Sequence, residues 1–350
     1  MARRVLLLSA SMGAGHDTAA HELADRLRAR GDEPQVVDLL ACLPAGIGAA
    51  IKGFYAGTLR FTPWLYELIY RHFLEGAGAA RVSTDPVVRL ALPRVRDLVA
   101  STRPDAVVPL WHVAAQVTGA LRADGELRSP VTVAVTELAV HPGWIHPGND
   151  RHLCVHQVAA DEAAARGGAD PIAAAPLIPA RFVTAGPDDG LPPDVAAGVG
   201  ERRPVVITAG AWGAGAVREA AAALSDSERF AAVVLCGRND RLRRAFAGRR
   251  AVVPLGWRDD VRRVVGGAAV IVQNGGGLAC WEALSVGRPV VTYRPLPGHG
   301  RAAAAILDRL GLAPWAHDAA EFLRVVAAAD GRPAPRVDIA AMPDAADLIL

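Results

Sequence analysis

The chain is predicted to be an α/β protein with open parallel sheets in two domains. Three observations carry that expectation. Short apolar, β-branched runs alternate with helix-length amphipathic stretches along the chain, the pattern of parallel strands joined by crossover helices. Three times such a run ends in a glycine-rich turn that leads straight into a helix, at 11–16 (SMGAGH), 209–215 (AGAWGAG) and 274–277 (NGGG). Residues 185–203, AGPDDGLPPDVAAGVGERR, are rich in Gly, Pro and Asp and read as a connection between domains. The expected division is a first domain over 1–185, a linker over 186–203, a second domain over 204–335, and a C-terminal helix over 336–350 that docks back on the first domain.

Composition sets bounds on function. With 350 residues, 51% of them hydrophobic, two cores of ordinary size are possible. A net charge of +2 argues against a nucleic-acid partner held by bulk charge. No apolar run is long enough to span a bilayer. The N-terminus, MARRVLLLSASMGAGH, begins like a signal peptide, but its apolar run covers only 5–8 before the glycines, so it reads as a first strand. Cys42, Cys154, Cys236 and Cys280 are far apart with no CxxC, which fits a reducing cytoplasm and neither a disulfide framework nor a zinc site.

Residues 5–10 form the first strand, 17–30 a helix ended by Gly31, and 35–39 a second strand with Asp38 near its end. This start partly matches the dinucleotide fingerprint, with Gly13 and Gly15 in place, Thr18 where the third glycine belongs, and Asp38 about 20 residues on. An NAD(P)- or flavin-dependent oxidoreductase using Gly13, Gly15 and Asp38 is one reading. His16, at the junction of turn and helix, offers another: a neutral imidazole above the strand ends can take a proton from a hydroxyl. It can equally be a helix-capping or polar loop residue.

Residues 51–73, IKGFYAGTLRFTPWLYELIYRHF, place apolar residues at helical spacing on both sides of Pro63, which suits the first turn of a second helix. Tyr55, Tyr66 and Tyr70, three of the four tyrosines, gather here with Phe54, Phe61, Phe73 and Trp64, and Lys52, Arg60, Arg71 and His72 are interleaved. Aromatics mixed with cations suit a membrane interface or a lipid groove, and equally a helix packed on the core with its basic residues solvated. Residues 86–101 then read as a helix, 105–110 as a strand followed by Trp111 and His112, 113–123 as a helix and 131–136 as a strand. The next loop, 137–150 (ELAVHPGWIHPGND), brings Glu137, His141, Trp144 and His146 to a strand's carboxyl end, where ligands bind in open parallel sheets. His141 and His146 are poorly spaced for helical metal ligation, with Pro142 between them, so no metal is expected. A strand at 151–155 and a helix at 157–166 follow.

The second half opens with a strand at 205–208, the turn containing Gly210 and Trp212, and a helix at 216–224. Strands at 231–235 and 252–255 lead to Gly237, Arg238 and Asn239, and to Gly256 and Trp257. The chain is organised around 271–297. A strand at 268–273 meets Asn274 and the turn Gly275, Gly276, Gly277. A helix over 278–286 ends at Gly287, and a strand covers 290–293. A helix that begins directly after a glycine turn offers N–H groups and the positive end of its dipole to a phosphate. Glu282, one turn on, can accept two hydroxyls as the acidic partner of a ribose does. The same stretch also reads as an ordinary loop with a surface glutamate.

Six pieces fall in one order: 9–20 (SASMGAGHDTAA), 62–70 (TPWLYELIY), 135–150 (VTELAVHPGWIHPGND), 234–239 (VLCGRN), 254–261 (PLGWRDDV) and 274–289 (NGGGLACWEALSVGRP). In them the chain resembles the monogalactosyldiacylglycerol synthase and processive diacylglycerol glucosyltransferase group. More distantly it is similar to the lipid II N-acetylglucosaminyltransferase (glycosyltransferase family 28). The resemblance implies the GT-B fold, two Rossmann-like doubly wound domains facing across a cleft. It implies an inverting, metal-independent glycosyltransferase that moves a sugar from a nucleotide diphosphate, a UDP-sugar, to a hydroxyl of a lipid or other hydrophobic acceptor. No D-x-D occurs, in keeping with metal independence.

By the same resemblance His16 is the base, and Gly13 and Gly15 admit the acceptor and the donor phosphates. Gly210 and Trp212 border the nucleotide, while Gly237, Arg238 and Trp257 hold its nucleobase. Asn274, Gly275, Gly276, Gly277 and Leu278 belong to the diphosphate site, and Glu282 takes the ribose. His299 and Arg301 face the sugar or the phosphates. Tyr55, Trp64, Tyr66, Tyr70, Glu137 and His141 meet the acceptor and the membrane. The nucleotide sugar is the co-substrate and no cofactor is implied. The place of work is the cytoplasm, peripherally at the inner face of the cell membrane. Two departures stand out. Glu137 occupies a position that is usually Asp, and 298–304 reads GHGRAAA where the donor-sugar loop is typically Gly-Gln-Glu-x-x-Asn. These leave open a natural-product glycosyltransferase with a non-lipid acceptor, or a non-catalytic nucleotide-sugar-binding homologue.

Overall fold

The structure is a computed structural model that describes residues 2–71, 80–183, 190–208, 210, 213–335 and 337–350. It divides into two compact units, Met1–Ile178 with Ile339–Leu350, and Pro179–Asp338.

In the first unit, β1 (Arg4–Ser9), β2 (Glu33–Asp38) and β3 (Ala106–Pro109) form a parallel sheet in the order β2-β1-β3. β4 (Thr132–Val135), β5 (Arg151–Cys154) and β6 (Pro171–Ala173) form another in the order β4-β5-β6. A parallel bridge between Val107 and Val131 joins them, and the Val107 amide donates to the Pro130 carbonyl at 3.0 Å. The strands thus run 2-1-3-4-5-6, and their order reverses between β1 and β3. Val5, Leu6, Leu7 and Leu8 of β1 are all buried, as a parallel strand covered on both faces requires. The helices are α1 (Ala14–Ala29), α2 (Ile47–Phe61), α3 (Pro63–Ile69), α4 (Ala80–Thr102), α5 (His112–Ala123) and α6 (Gln157–Ala165). On α1, Ala19, Ala20, Leu23, Ala24 and Leu27 are buried at helical spacing, so one stripe of that helix faces the core.

The second unit opens with α7 (Ala180–Val183) and α8 (Pro193–Val199). Then β7 (Arg203–Thr208), α9 (Val217–Asp226), β8 (Phe230–Gly237), α10 (Asp240–Phe246), β9 (Val252–Gly256), α11 (Val261–Gly266) and β10 (Val270–Gln273) follow one another. After them come α12 (Leu278–Ser285), β11 (Val290–Tyr293), α13 (His299–Arg309), β12 (Trp315–Ala316) and α14 (Ala319–Ala329). The sheet is parallel throughout, in the order β12-β11-β10-β7-β8-β9. That is the doubly wound order of a Rossmann fold, with its switch point between β7 and β10. Its core holds Ile207, Phe230, Val234, Val270, Val272 and Val291, and the Tyr293 and Phe322 rings stack at 4.3 Å.

Two segments differ from expectation. Part of the stretch read as a linker is α8, with Pro193 in its first turn, Val195 fully buried and Gly198 close against Val253. The prolines that read as loop punctuation instead start a helix, a position that tolerates a missing N–H. In the stretch read as a C-terminal helix the described residues make two 3-10 turns, Ile339–Ala341 and Ala345–Asp347, with Pro343 between them. Proline removes the donor that a continuous helix would need there. Among the described residues no helix is long and apolar enough to cross a membrane.

Candidate functional site

In the first unit the chain leaves β1 and turns into α1 through Gly13, whose φ is +148°. No atom would meet a Cβ there, so backbone conformation and not space calls for glycine. His16 lies in the first turn of α1. Its Nδ1 is 2.9 Å from the carbonyl oxygen of Leu110, just past β3, and 3.1 Å from Thr136 Oγ1, just past β4. A carbonyl only accepts, so Nδ1 carries the ring proton and Nε2 keeps its lone pair. Burial lowers the His16 pKa below its ordinary 6.5, against the opposing pull of the Leu110 carbonyl and Asp17. The ring is therefore neutral with its basic atom fixed, and it sits where β1 and β3 reverse the strand order. That is the state a general base needs. Asp38 is occupied instead by its own chain: Oδ1 accepts the amides of Leu40 at 2.9 Å and Ser11 at 3.3 Å, capping a 3-10 turn. The residue read as the acidic partner in the dinucleotide fingerprint of Gly13 and Gly15 thus has a local capping task through Oδ1.

Around the loop after β4 the side chains form a chain of rings. Tyr55 meets Tyr66 at 5.2 Å, Tyr66 meets Tyr70 at 6.5 Å, Tyr70 meets His141 at 6.0 Å, and His141 meets His112 at 4.8 Å. Glu137 lies among them with its pKa pushed up to about 7 by burial, opposed by the Trp144 indole, and among the described residues its Oε2 has no hydrogen-bond partner. Burial also raises the phenols of Tyr55 and Tyr66, with the Glu137 carboxylate adding to both. His112, Glu137 and His141 bring one potential ligand atom each within 4.8 Å of the others. The His141 ring is set for a different task. Its Nδ1 accepts the Gly143 amide at 3.1 Å, so Nε2 carries the proton, 3.7 Å from Glu137 Oε2. A metal on Nε2 would push that proton against the Gly143 N–H. The residues expected to meet acceptor and membrane therefore divide. Trp64 is exposed on α3, whereas Tyr70 is buried and Tyr55, Tyr66, Glu137 and His141 turn inward with it.

In the second unit the expected residues gather at the carboxyl ends of the strands. Asn274 donates from Nδ2 to the Ala214 carbonyl at 2.8 Å and accepts the Leu296 amide at 2.7 Å. It thus ties together the turns that follow β7, β10 and β11. Gly276, at φ +64°, packs so closely that a Cβ would stand 2.5 Å from that of Ala303. Gly275 and Gly276 differ from expectation. Their amides donate to Gln273 Oε1, at 2.8 and 2.5 Å, so they are not offered to a ligand. The amides of Gly277, Leu278 and Ala279 remain, at a helix start where no intrahelical acceptor exists. Gln273 was overlooked in the sequence. The available signal was a polar residue closing an otherwise apolar, β-branched run.

Glu282 is half-buried on α12 with its carboxyl pushed up to about 7 by burial, the nearby Arg181 opposing. Hydrogen bonds from two hydroxyls would compensate such a group. On the other side of the switch point, Gly237 ends β8 and the guanidinium of Arg238 lies 4.8 Å over the indole of Trp257, which is exposed just past β9. His299 opens α13, and Arg301 is exposed in its first turn. Gly210 follows β7, and Trp212 lies outside the described residues.

Residues 16–173 match the family model of monogalactosyldiacylglycerol (MGDG) synthase. Among curated proteins, the processive diacylglycerol beta-glucosyltransferase of Bacillus thuringiensis (strain Al Hakam) is 24% identical, over 91% of this chain and 83% of the relative. Among solved structures, a spinosyn rhamnosyltransferase complexed with thymidine diphosphate superposes with a TM-score of 0.56 at 16% identity, over 99% of this chain and 98% of that one. MurG of Acinetobacter baumannii superposes at 0.53 and 15%, over 93% and 90%. The resemblance drawn from the sequence is borne out over 91% of the chain, and the structural likeness shows the GT-B fold.

Proposed function

We propose that this chain is a GT-B glycosyltransferase of the monogalactosyldiacylglycerol synthase and diacylglycerol glucosyltransferase group, and that it transfers a sugar from a UDP-sugar to a lipid hydroxyl with inversion and without a metal. The observation that carries this reading is His16: a neutral imidazole held by Leu110, its Nε2 lone pair fixed, at the switch point of the first sheet. The acceptor hydroxyl gives its proton to Nε2 as its oxygen bonds to the anomeric carbon. The bond from that carbon to the donor phosphate breaks, and the nucleoside diphosphate leaves with the electron pair. The dipole and open amides at the start of α12 stabilise that charge without reorganising, and Glu282 takes the ribose hydroxyls. Arg238 and Trp257 flank the base. The exposed apolar side of α2 and α3 supports a lipid acceptor and contact with the inner face of the membrane. The rhamnosyltransferase solved with thymidine diphosphate makes a deoxythymidine donor the alternative to test.

The test is product mass spectrometry with UDP- and dTDP-sugars, diacylglycerol and a lipid extract. A glycosylated lipid is expected from wild type and none above background from His16→Ala. Transfer that survives this substitution removes His16 as the base, and absence of product with every donor leaves the binding-homologue reading in its place.

A further inference from the structure

The structure assigns to Gln273 a positioning role: its buried side chain holds the glycine turn so that the first amides of α12 are presented to the donor diphosphate. This rests on the donor site proposed above and names the residue that shapes it.

Gln273 closes β10 and is 3% exposed. A buried primary amide has to satisfy both of its ends. Here Nε2 donates to Thr292 Oγ1 of β11 at 2.6 Å, and Oε1 accepts two successive amides, those of Gly275 and Gly276. Thr292 is itself fully buried. One side chain therefore anchors the turn to the neighbouring strand.

Two consequences follow. With the first two turn amides satisfied internally, anion binding falls to Gly277, Leu278 and Ala279 at the head of the helix. The turn is also anchored before any ligand arrives, which lowers the ordering cost of binding. An apolar residue of similar size at 273 would leave the buried Gly276 N–H and the part-buried Gly275 N–H unsatisfied, and the turn would relieve them by rotating. A glutamate would still accept both amides and could accept a hydrogen bond from the Thr292 hydroxyl, but it would place a negative charge beside the phosphates.

The experiment compares UDP with uridine by calorimetry on the full chain. Uridine reports the base and ribose contacts, and the ratio of the two affinities reports the diphosphate contacts. Wild type is expected to bind UDP far more tightly than uridine. Gln273→Leu should cut that ratio by about tenfold or more while leaving uridine affinity unchanged. Gln273→Glu, which still accepts both amides, should also lose the ratio, through charge. Loss of uridine binding in Gln273→Leu together with a lowered melting temperature would reduce the residue to a structural one. Were the ratio to remain at its wild-type value in both variants, the positioning role would be overturned while the donor site stood. A wild-type protein that prefers uridine, or binds neither, would instead overturn the donor site itself.

Discussion

At the scale of single residues, the pKa shifts give predictions with opposite signs. His16 has its folded-state pKa lowered below 6.5, so between that lowered value and 6.5 the unfolded chain holds more protons. Its contribution to stability is present above 6.5 and is lost as pH falls. The rate of transfer should follow the same group, level above neutrality and falling on the acid side with a midpoint below 6.5. Thr136→Val removes the second acceptor near Nδ1 and leaves the Leu110 carbonyl in place. A drop in kcat of about fivefold, with the donor KM unchanged, is expected in steady-state kinetics. An unchanged kcat would show that Leu110 alone fixes the ring. Glu282 behaves in the reverse sense. Its folded-state pKa is pushed up to about 7 from 4.5, so the folded chain keeps the proton longer and stability falls as pH rises from 4.5 through 7. Glu282→Gln should therefore stabilise the protein at pH 8, by about 2 kcal/mol after discounting for its partial exposure, while weakening UDP binding. Thermal melts at pH 5 and pH 8 separate the two effects, since the gain should vanish at pH 5. The role of His16 was suggested by its place after a glycine turn. Its tautomer was not, because Leu110 and Thr136 are distant in sequence and only strand order brings their oxygens to the ring.

At the scale of elements, α2 and α3 show what periodicity can and does not decide. Helical spacing around Pro63 identified two helices, and the structure has them. Both faces carry aromatics, however, so spacing alone gave no rule for which face is turned in. Burial settles it: Phe54, Phe61, Trp64 and Leu68 are 59%, 73%, 66% and 57% exposed, whereas Tyr70 is 2% exposed. The tyrosines face inward because their rings pack against the loop after β4 in company with Glu137 and His141. An apolar face of this kind has no reason to remain in water and suits the headgroup region of a bilayer. Phe61→Ser with Trp64→Ser should release the protein from sedimenting liposomes and leave its melting temperature within the range of surface substitutions, about 0.5 kcal/mol. Tyr70→Ser should behave differently, destabilising by about 3 kcal/mol through the cavity it opens. Undiminished sedimentation of the double variant would move the membrane contact to another part of the surface. The glycine turn after β10 carries a related lesson. Its location was legible in NGGG, but which of its amides remain open was decided by the Gln273 side chain, and a motif of glycines carries no information about that.

At the scale of the whole molecule, the chain crosses from the first unit to the second near residue 178 and returns at 339. The sequence suggested two domains and a tail docked back on the first of them, but it placed the crossing in the Gly/Pro/Asp-rich stretch, which lies wholly within the second unit and whose α8 packs on β9, and it did not show that the tail is irregular. The tail is bound by more than proximity. Arg26 pairs with Glu22 and Asp344, and Arg30 with Asp344 and Asp347, so α1 is held along its last turns. Arg151 donates to the Leu348 carbonyl at 2.8 Å, Arg3 to that of Ile349 at 3.3 Å, and the Ala175 amide to that of Pro343 at 2.9 Å. Ile339, Ala345, Ala346 and Ile349 are buried. Partly exposed ion pairs contribute little, so the two isoleucines dominate, at about 4 kcal/mol together. Deleting residues 339–350 should then lower the melting temperature of the first unit by several degrees and leave the second unit's contacts intact. Calorimetry would resolve the two as separate transitions, since two compact units need not unfold as one. Added UDP should raise the second unit's transition in the truncated chain as it does in the full one, because a ligand stabilises the state it binds. Activity would fall with the first transition, since α1 carries His16. If truncation lowered both transitions equally, the tail would be stabilising the molecule through the second unit as well, and α1 would not be the element it secures.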